Sequence, residues 1–238
     1  MHTIITIGRS FGSAGGHIGH AIGQKLGIPF YDNELISKVA EEEGYSKGLF
    51  AQAEEKSLFS FSSFFASSRL GYMDGGYVND NVLFKIQSEV IRNIAERGDA
   101  ILIGRCADYI LRDMDCLNVF ISAPEEYRIQ SLMKSENISA DEAEKLMRRK
   151  DRTRETYYNY YTFGAWGHAS NYHLCVDSSI LGIDGTAELI VDFGRRCGKI
   201  KCERRASYSL SWPWAARFCA GNRCRPNLLR SPFTGGIR

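Results

Sequence analysis

Thr3-Ile4-Ile5-Thr6-Ile7-Gly8-Arg9-Ser10-Phe11-Gly12-Ser13-Ala14-Gly15-Gly16-His17 carries the first decision about this chain. Its opening residues are apolar and β-branched, the composition of a buried strand. Just beyond it, Ile18, Ala21, Ile22 and Leu26 recur at three- and four-residue spacing, which predicts one face of a helix. A strand, a glycine-rich turn and a helix in that order form a phosphate site. Glycines let successive backbone N–H groups converge without Cβ clashes, and the helix N-terminus adds partial positive charge. Gly12, Ser13, Ala14, Gly15, Gly16 and His17 are therefore the candidate anion cradle, with Arg9 just ahead of it. A phosphate loop of the form GxxxxGK[ST] ends in a lysine and a hydroxyl. Gly15-Gly16-His17 stands in their place.

Working outward, Gly27-Ile28-Pro29-Phe30-Tyr31-Asp32 reads as a helix stop leading into a second short strand. Asp32 falls at that strand's C-terminal end, the edge where open parallel sheets place their ligands, and is equally suited to capping a helix over 33–43. Residues 44–80, rich in Phe, Ser, Gly and Tyr, have no clean long period and read either as a substrate flap or as a packed insertion. Val82, Leu83, Ile86, Val90, Ile91 and Ile94 predict an amphipathic helix closed by Gly98. The strand Ala100-Ile101-Leu102-Ile103-Gly104 then delivers Arg105 to the same edge, aimed at an anion or paired with Asp108 or Asp113. A fourth strand spans 117–121, and Pro124-Glu125-Glu126 opens the next helix.

The helix from Ser139 to about Tyr161 carries Arg148-Arg149-Lys150-Asp151-Arg152-Thr153-Arg154. Arg148 and Arg152 share one face, as do Lys150 and Arg154, with Asp151 placed to fix one of them. Such a run is a solvated face or a polyphosphate clamp. Its arginine bias, inside an otherwise acidic body, favours the clamp. A fifth strand over 173–177 and a helix over 183–196 close the domain. Strand and helix alternate about five times, which predicts an α/β fold with a parallel sheet covered by helices on both faces.

The 238 residues suffice for one substantial core, and 44% hydrophobic with 24% charged residues is a soluble composition. No apolar run approaches the ~20 residues needed to cross a bilayer, and the chain opens almost directly on a strand, so a cytoplasmic location is expected. From Lys199 onward nine Lys/Arg face one acid, Glu203. That stretch therefore carries +8, and the remainder −6, of the net +2. Of seven cysteines, Cys106, Cys116 and Cys175 fall in predicted strands or buried helices, which fits free thiols in a reducing compartment. Cys197, Cys202, Cys219 and Cys224 only loosely approach a zinc spacing.

Five motifs in order resemble the cytidylate kinase-like family of P-loop nucleotide kinases, relatives of bacterial cytidylate kinase. They are the run from Arg9 to Gly16, Gly27–Asp32, Ile103-Gly104-Arg105-Cys106-Ala107-Asp108-Tyr109, Ile121–Glu126, and Arg149-Lys150-Asp151-Arg152-Thr153-Arg154. The resemblance covers about residues 3–196. It implies a three-layer α/β/α domain over 1–198 with a five-stranded parallel sheet, a helical acceptor-side insertion at 44–80 and a helical lid at 128–160. It also implies phosphoryl transfer from ATP to a nucleoside monophosphate such as CMP or dCMP, with Mg2+ as cofactor.

By the same resemblance, Arg9 and residues Gly12 to His17 hold donor phosphates, and Arg105 holds the acceptor phosphate. Arg149, Arg152 and Arg154, with Asp151, are the lid charges, while Asp32 serves the acceptor and magnesium-bound water. Two departures stand out. Many relatives carry Lys or Arg at the place of Gly16, and the kinase pattern Gly-Arg-Asp reads Gly104-Arg105-Cys106 here. A nucleotide-binding module that does not transfer phosphoryl groups is the alternative. The basic stretch 199–238 lies outside the resemblance and reads as an unrelated extension, a disordered tail or, least favoured, a nucleic-acid contact.

Overall fold

The computed structural model describes residues 2–42 and 80–201. The expected insertion at 44–80, all but its last residue, and the stretch from Cys202 onward, with Cys219 and Cys224, lie outside the described residues. Five strands, β1 (Ile4–Arg9), β2 (Phe30–Tyr31), β3 (Ala100–Ile103), β4 (Cys116–Ser122) and β5 (Leu174–Asp177), form one sheet in the order β2-β3-β1-β4-β5. Every neighbouring pair is parallel, with Ile5 opposite both Ile101 and Leu117. The helices are α1 (Gly15–Leu26), α2 (Asn33–Glu42), α3 (Asp80–Arg97), α4 (Ala107–Ile110), α5 (Glu125–Glu136), α6 (Ala140–Thr162) and α7 (Ser178–Arg196).

Side chains alternate across a strand, so the central strands feed two cores. Ile5, Ile7, Ile101, Ile103, Leu117, Val119 and Ile121 pack against Ile18 and Ile22 of α1 and against Ala187 and Ile190 of α7. On the opposite face Ile4, Leu102 and Cys116 meet Ile36 of α2 and Val90, Ile91 and Ile94 of α3. These are the three α/β/α layers and the five-stranded parallel sheet expected from the sequence. A third, small core of Leu132, Ala143 and Met147 joins α5 to α6 and takes in Phe11 of the glycine loop. No helix among the described residues is long and apolar enough to cross a membrane.

Several boundaries differ from the sequence reading for local reasons. The expected helix at 183–196 begins at Ser178, capped by Asp177, and bends at Gly182, whose φ of 65° is left-handed. Gly104 leaves the strand and opens a turn in which Gly104, Arg105 and Cys106 are all left-handed, followed by the unanticipated short α4. His173 precedes β5 and accepts the Asn118 N–H on Nδ1 at 2.9 Å. Cys106 and Cys116 are buried as expected, but Cys175 is exposed because β5 is the edge strand.

Candidate functional site

β1 is central in the sheet, so the loop that follows it leaves the C-terminal edge between β3 and β4. That loop is stitched down before any ligand is considered. The buried Ser13 hydroxyl donates to Ser10 O at 2.9 Å and Ile121 O at 3.1 Å, and Ser178 Oγ donates to Ser13 O at 2.8 Å. Ser13 thus serves the loop's shape through its side chain. Gly12 is left-handed, with φ 82°, and a Cβ there would lie 3.1 Å from Arg128 O and Cβ.

The chain enters α1 through Ala14, itself left-handed, with no side-chain cap. The first-turn amides, which have no intrahelical acceptor, are therefore left without a capping side chain at Gly15-Gly16-His17. Gly16 and His17 are exposed. An uncapped helix start made of backbone thus stands where the glycine pattern placed its candidate anion cradle.

Its charge comes from elsewhere. The Arg9 side chain leaves the end of β1 and threads between two glycines. A Cβ on Gly15 would lie 2.6 Å from Arg9 Cβ, and one on Gly104 would lie 2.0 Å from Arg9 Nη1. Burial first, and then Arg154 and Arg105, lower the Arg9 guanidinium to about 9, while Asp32 and Asp151 oppose the fall from a distance. It is still a cation at neutral pH. Arg154 reaches back from α6, donating from Nη1 to Arg9 O at 3.4 Å and lying 5.1 Å over the Phe11 ring. Burial also lowers Arg154, with Asp151 countering.

Arg9, Arg105, Lys150 and Arg154 line one cavity of about 370 Å³, together with Asn33, Asp108, Tyr158, Trp166 and Tyr172. Tyr158 Oη donates to Asp108 Oδ2 at 2.7 Å. Burial raises the Asp108 carboxyl, and the bond from Tyr158 moderates the rise. Asn33 Oδ1 is buried without a hydrogen-bond partner among the described residues. Of the two acids the sequence offers Arg105, Asp113 is held by Arg92 at 3.0 Å, and Asp108 lines the same cavity as Arg105.

The structure separates the basic residues of α6 by helical phase. Lys150, Arg154, Tyr157 and Tyr158 stand at four-, three- and one-residue steps on the face that lines the cavity. Arg149 and Arg152 are exposed and do not line it. Asp151, at the edge of the face, is the clamp that joins loop and helix. Its Oδ1 accepts the Phe11 N–H at 2.7 Å and its Oδ2 pairs with Arg128 Nη1 at 2.5 Å.

Arg128 is the residue sequence reasoning missed. It is buried on α5, donates also to Phe11 O at 3.3 Å, and leaves its Nε without a partner among the described residues. The available signal was its position four residues before Leu132, on the apolar stripe of α5.

Asp32 plays its capping part, since Oδ1 accepts the Leu35 N–H at 3.0 Å. No group of three or more His, Cys, Asp or Glu side chains among the described residues could cage a metal. Neither zinc nor an all-protein magnesium site is therefore found among them.

The model of the cytidylate kinase-like family matches residues 4–180, which takes in every element from β1 to the start of α7. No curated protein matches the chain. An uncharacterized protein from Eubacterium ventriosum is similar in structure, with 24% identity and a TM-score of 0.61 over 80% of this chain and 96% of that one. A shikimate kinase from Bacteroides thetaiotaomicron matches with 14% identity and a TM-score of 0.49, over 84% of this chain and 100% of that one.

Proposed function

The chain belongs to the cytidylate kinase-like family, and on that premise we propose that it transfers the γ-phosphoryl group of ATP to a nucleoside monophosphate of the CMP or dCMP kind. One observation carries the reading. Arg9, Arg105 and Arg154 converge on a single cavity, and although no residue of Gly12 to His17 lines it, the Arg9 stem packs against Gly15 at the uncapped, glycine-rich start of α1. Phosphoryl transfer asks little covalent chemistry of a protein. It needs in-line positioning and neutralisation of spread negative charge, which arginines and backbone amides supply.

In the proposed reaction, ATP phosphates rest on the amides of Gly15-Gly16-His17, and Arg105 and Arg154 draw the acceptor phosphate towards them. An oxygen of the acceptor phosphate bonds to the γ-phosphorus. The bond from that phosphorus to the β–γ bridging oxygen breaks, and ADP leaves with the electron pair. In the same cavity, Asn33 Oδ1 and the Asp108 carboxyl offer acceptors to the hydroxyl or amino groups of a nucleoside. The aromatic rings of Tyr172 and Trp166 supply flat apolar surface for it. Cys106, where the kinase pattern has an acid, is buried, and the cavity's acid is Asp108.

Magnesium carried on nucleotide phosphates takes most of its ligands from phosphate and water and needs only one or two carboxylates. Asp32, close enough to act on Arg9, fits that limited part. When bound, the ion would neutralise phosphate charge.

Coupled ADP release measured over a panel of nucleoside monophosphates tests the proposal. Turnover with a cytidine nucleotide that is lost in Arg105→Ala is the expected result, and folded protein with no turnover on any acceptor would overturn it. The second reading, a nucleotide-binding module without transfer, is favoured by Gly16 and His17 where a lysine and a hydroxyl would stand. It predicts calorimetric ATP binding with no product.

A further inference from the structure

We propose that Arg9 is the catalytic cation that stands in for the lysine missing from the loop, meeting the transferring phosphoryl group from the strand side. This rests on the phosphotransferase reading above. Its first support is steric. Gly15 and Gly104 each sit where a Cβ would collide with Arg9, at the stem and at the guanidinium respectively. The side chain therefore runs from the start of α1 to the end of β3, across the mouth between the loop and the turn that carries Arg105.

Its second support is electrostatic. A structural arginine would be buried against an acid that answers it. The two acids acting on Arg9 do so through space, and each has other partners: Asp32 Oδ1 caps α2, and Asp151 accepts from Phe11 and pairs with Arg128 and Arg154. What stands close to Arg9 instead is more positive charge, from Arg105 and Arg154. Asp151 pairs with Arg154 and Asp108 lines the same cavity, yet three arginines gathered there suit an anion, and a cation held ready acts on developing charge without reorganising. Thirdly, nothing described occupies the lysine's own place. Gly16 is exposed, and a Cβ there would meet no atom within 4 Å.

In the step itself, the acceptor oxygen bonds to the γ-phosphorus as the bridging P–O bond opens and ADP departs with its electrons. Arg9 stays protonated throughout. It shares the negative charge that gathers on the γ oxygens and on the bridge.

The test uses the full chain with ATP, magnesium and whichever monophosphate the wild type turns over. Arg9→Met keeps the stem and removes the charge. It is expected to lower kcat by ~10²–10³-fold, the usual cost of one such donor, with little change in KM. Adding Gly16→Lys to Arg9→Met is expected to restore at least ~10-fold of that loss, because it returns the cation from the helix side. An unchanged kcat in Arg9→Met, or a loss that Gly16→Lys does not relieve, overturns the assignment.

Calorimetry with inorganic tripolyphosphate separates this inference from the kinase reading. If the wild type turns over no acceptor, the kinase reading falls. Arg9 then stands as the loop's cation only if Arg9→Met weakens tripolyphosphate binding and Gly16→Lys recovers it; unchanged affinity overturns it. Melting of Arg9→Met at or above the wild-type temperature, expected once a crowded like charge is gone, excludes misfolding as the cause.

Discussion

Asp151→Asn removes one charge from the junction of loop and helix while leaving its shape almost intact. The amide oxygen can still accept the Phe11 N–H that Oδ1 accepts at 2.7 Å. The loss falls first on Arg128, whose side chain is only 10% exposed, which pairs with Asp151 Oδ2, and whose Nε already has no partner among the described residues, and then on Arg154, 3.8 Å from Asp151 Oδ1. Removing one partner of a buried pair costs ~3–5 kcal/mol, because the other charge stays buried and unanswered. The Asp151 side chain retains 19% exposure, which places the cost at the low end, about 3 kcal/mol. At ~2–4 °C per kcal/mol for a domain of this size, the melting temperature is expected to fall by about 6–12 °C.

Urea and thermal denaturation of the full chain measure this directly. Arg128→Met alone is expected to cost a similar amount, and the double variant less than the sum of the two by at least ~1 kcal/mol, since neither member of the Arg128–Asp151 pair is then left charged without the other. An Asp151→Asn loss under ~0.5 kcal/mol, or a strictly additive double variant, would refute the clamp.

Gly104→Ala places a methyl on the Arg9 guanidinium and at a left-handed φ of 68°. It is expected to cost ~1–2 kcal/mol of stability, and to weaken tripolyphosphate binding by calorimetry more than Gly98→Ala, where a Cβ meets nothing within 4 Å. Tripolyphosphate at 100 times its Kd is expected to stabilise the fold by ~2.7 kcal/mol, read as a rise in melting temperature. Because Arg9 loses its proton near 9, that binding is expected to be full at pH 7.5 and to weaken as pH climbs through 9.

Burial raises the Asp108 carboxyl above its ordinary 3.8, so between that value and the raised one the folded chain holds the extra proton. The contribution of Asp108 to stability is therefore present below 3.8 and lost as pH rises through the raised value. Stability profiles from pH 3 to 8 should show this component in the wild type and not in Asp108→Asn. Tyr158→Phe removes the bond that moderates the rise, so the same component should shift to higher pH.

The strands and most helices were legible because each carries its own signal: apolar β-branched runs at Ile4–Ile7 and Ala100–Ile103, and three-four spacing from Ile18 to Leu26. The turn into α1 was legible for the same reason, since glycines at fixed spacing after a strand encode it locally. The cavity's membership was less so. Composition drew attention to the whole Arg148–Arg154 run, whereas helical phase decides which of its members face inward, and the one-residue offsets to Arg149 and Arg152 put these outside. The same phase arithmetic, extended to Tyr157 and Tyr158, would have chosen Lys150 and Arg154. Arg128 was hidden because a single arginine beside Glu125 and Glu126 looks like a solvated face. Only the packing of α5 and α6 around Phe11 buries it.

The placement of Arg9 at the end of the central strand also sets where motion can occur. A lysine on the first turn of a helix swings on a long stem and can follow a phosphoryl group as it moves. Arg9 springs from backbone paired with β4 at Ile121 and is threaded between two glycines, so its head has little travel. In the proposed transfer the two phosphates would therefore have to come to a fixed charge, and α5 and α6 share that fixed frame, since the carboxylate of Asp151 ties both to the loop.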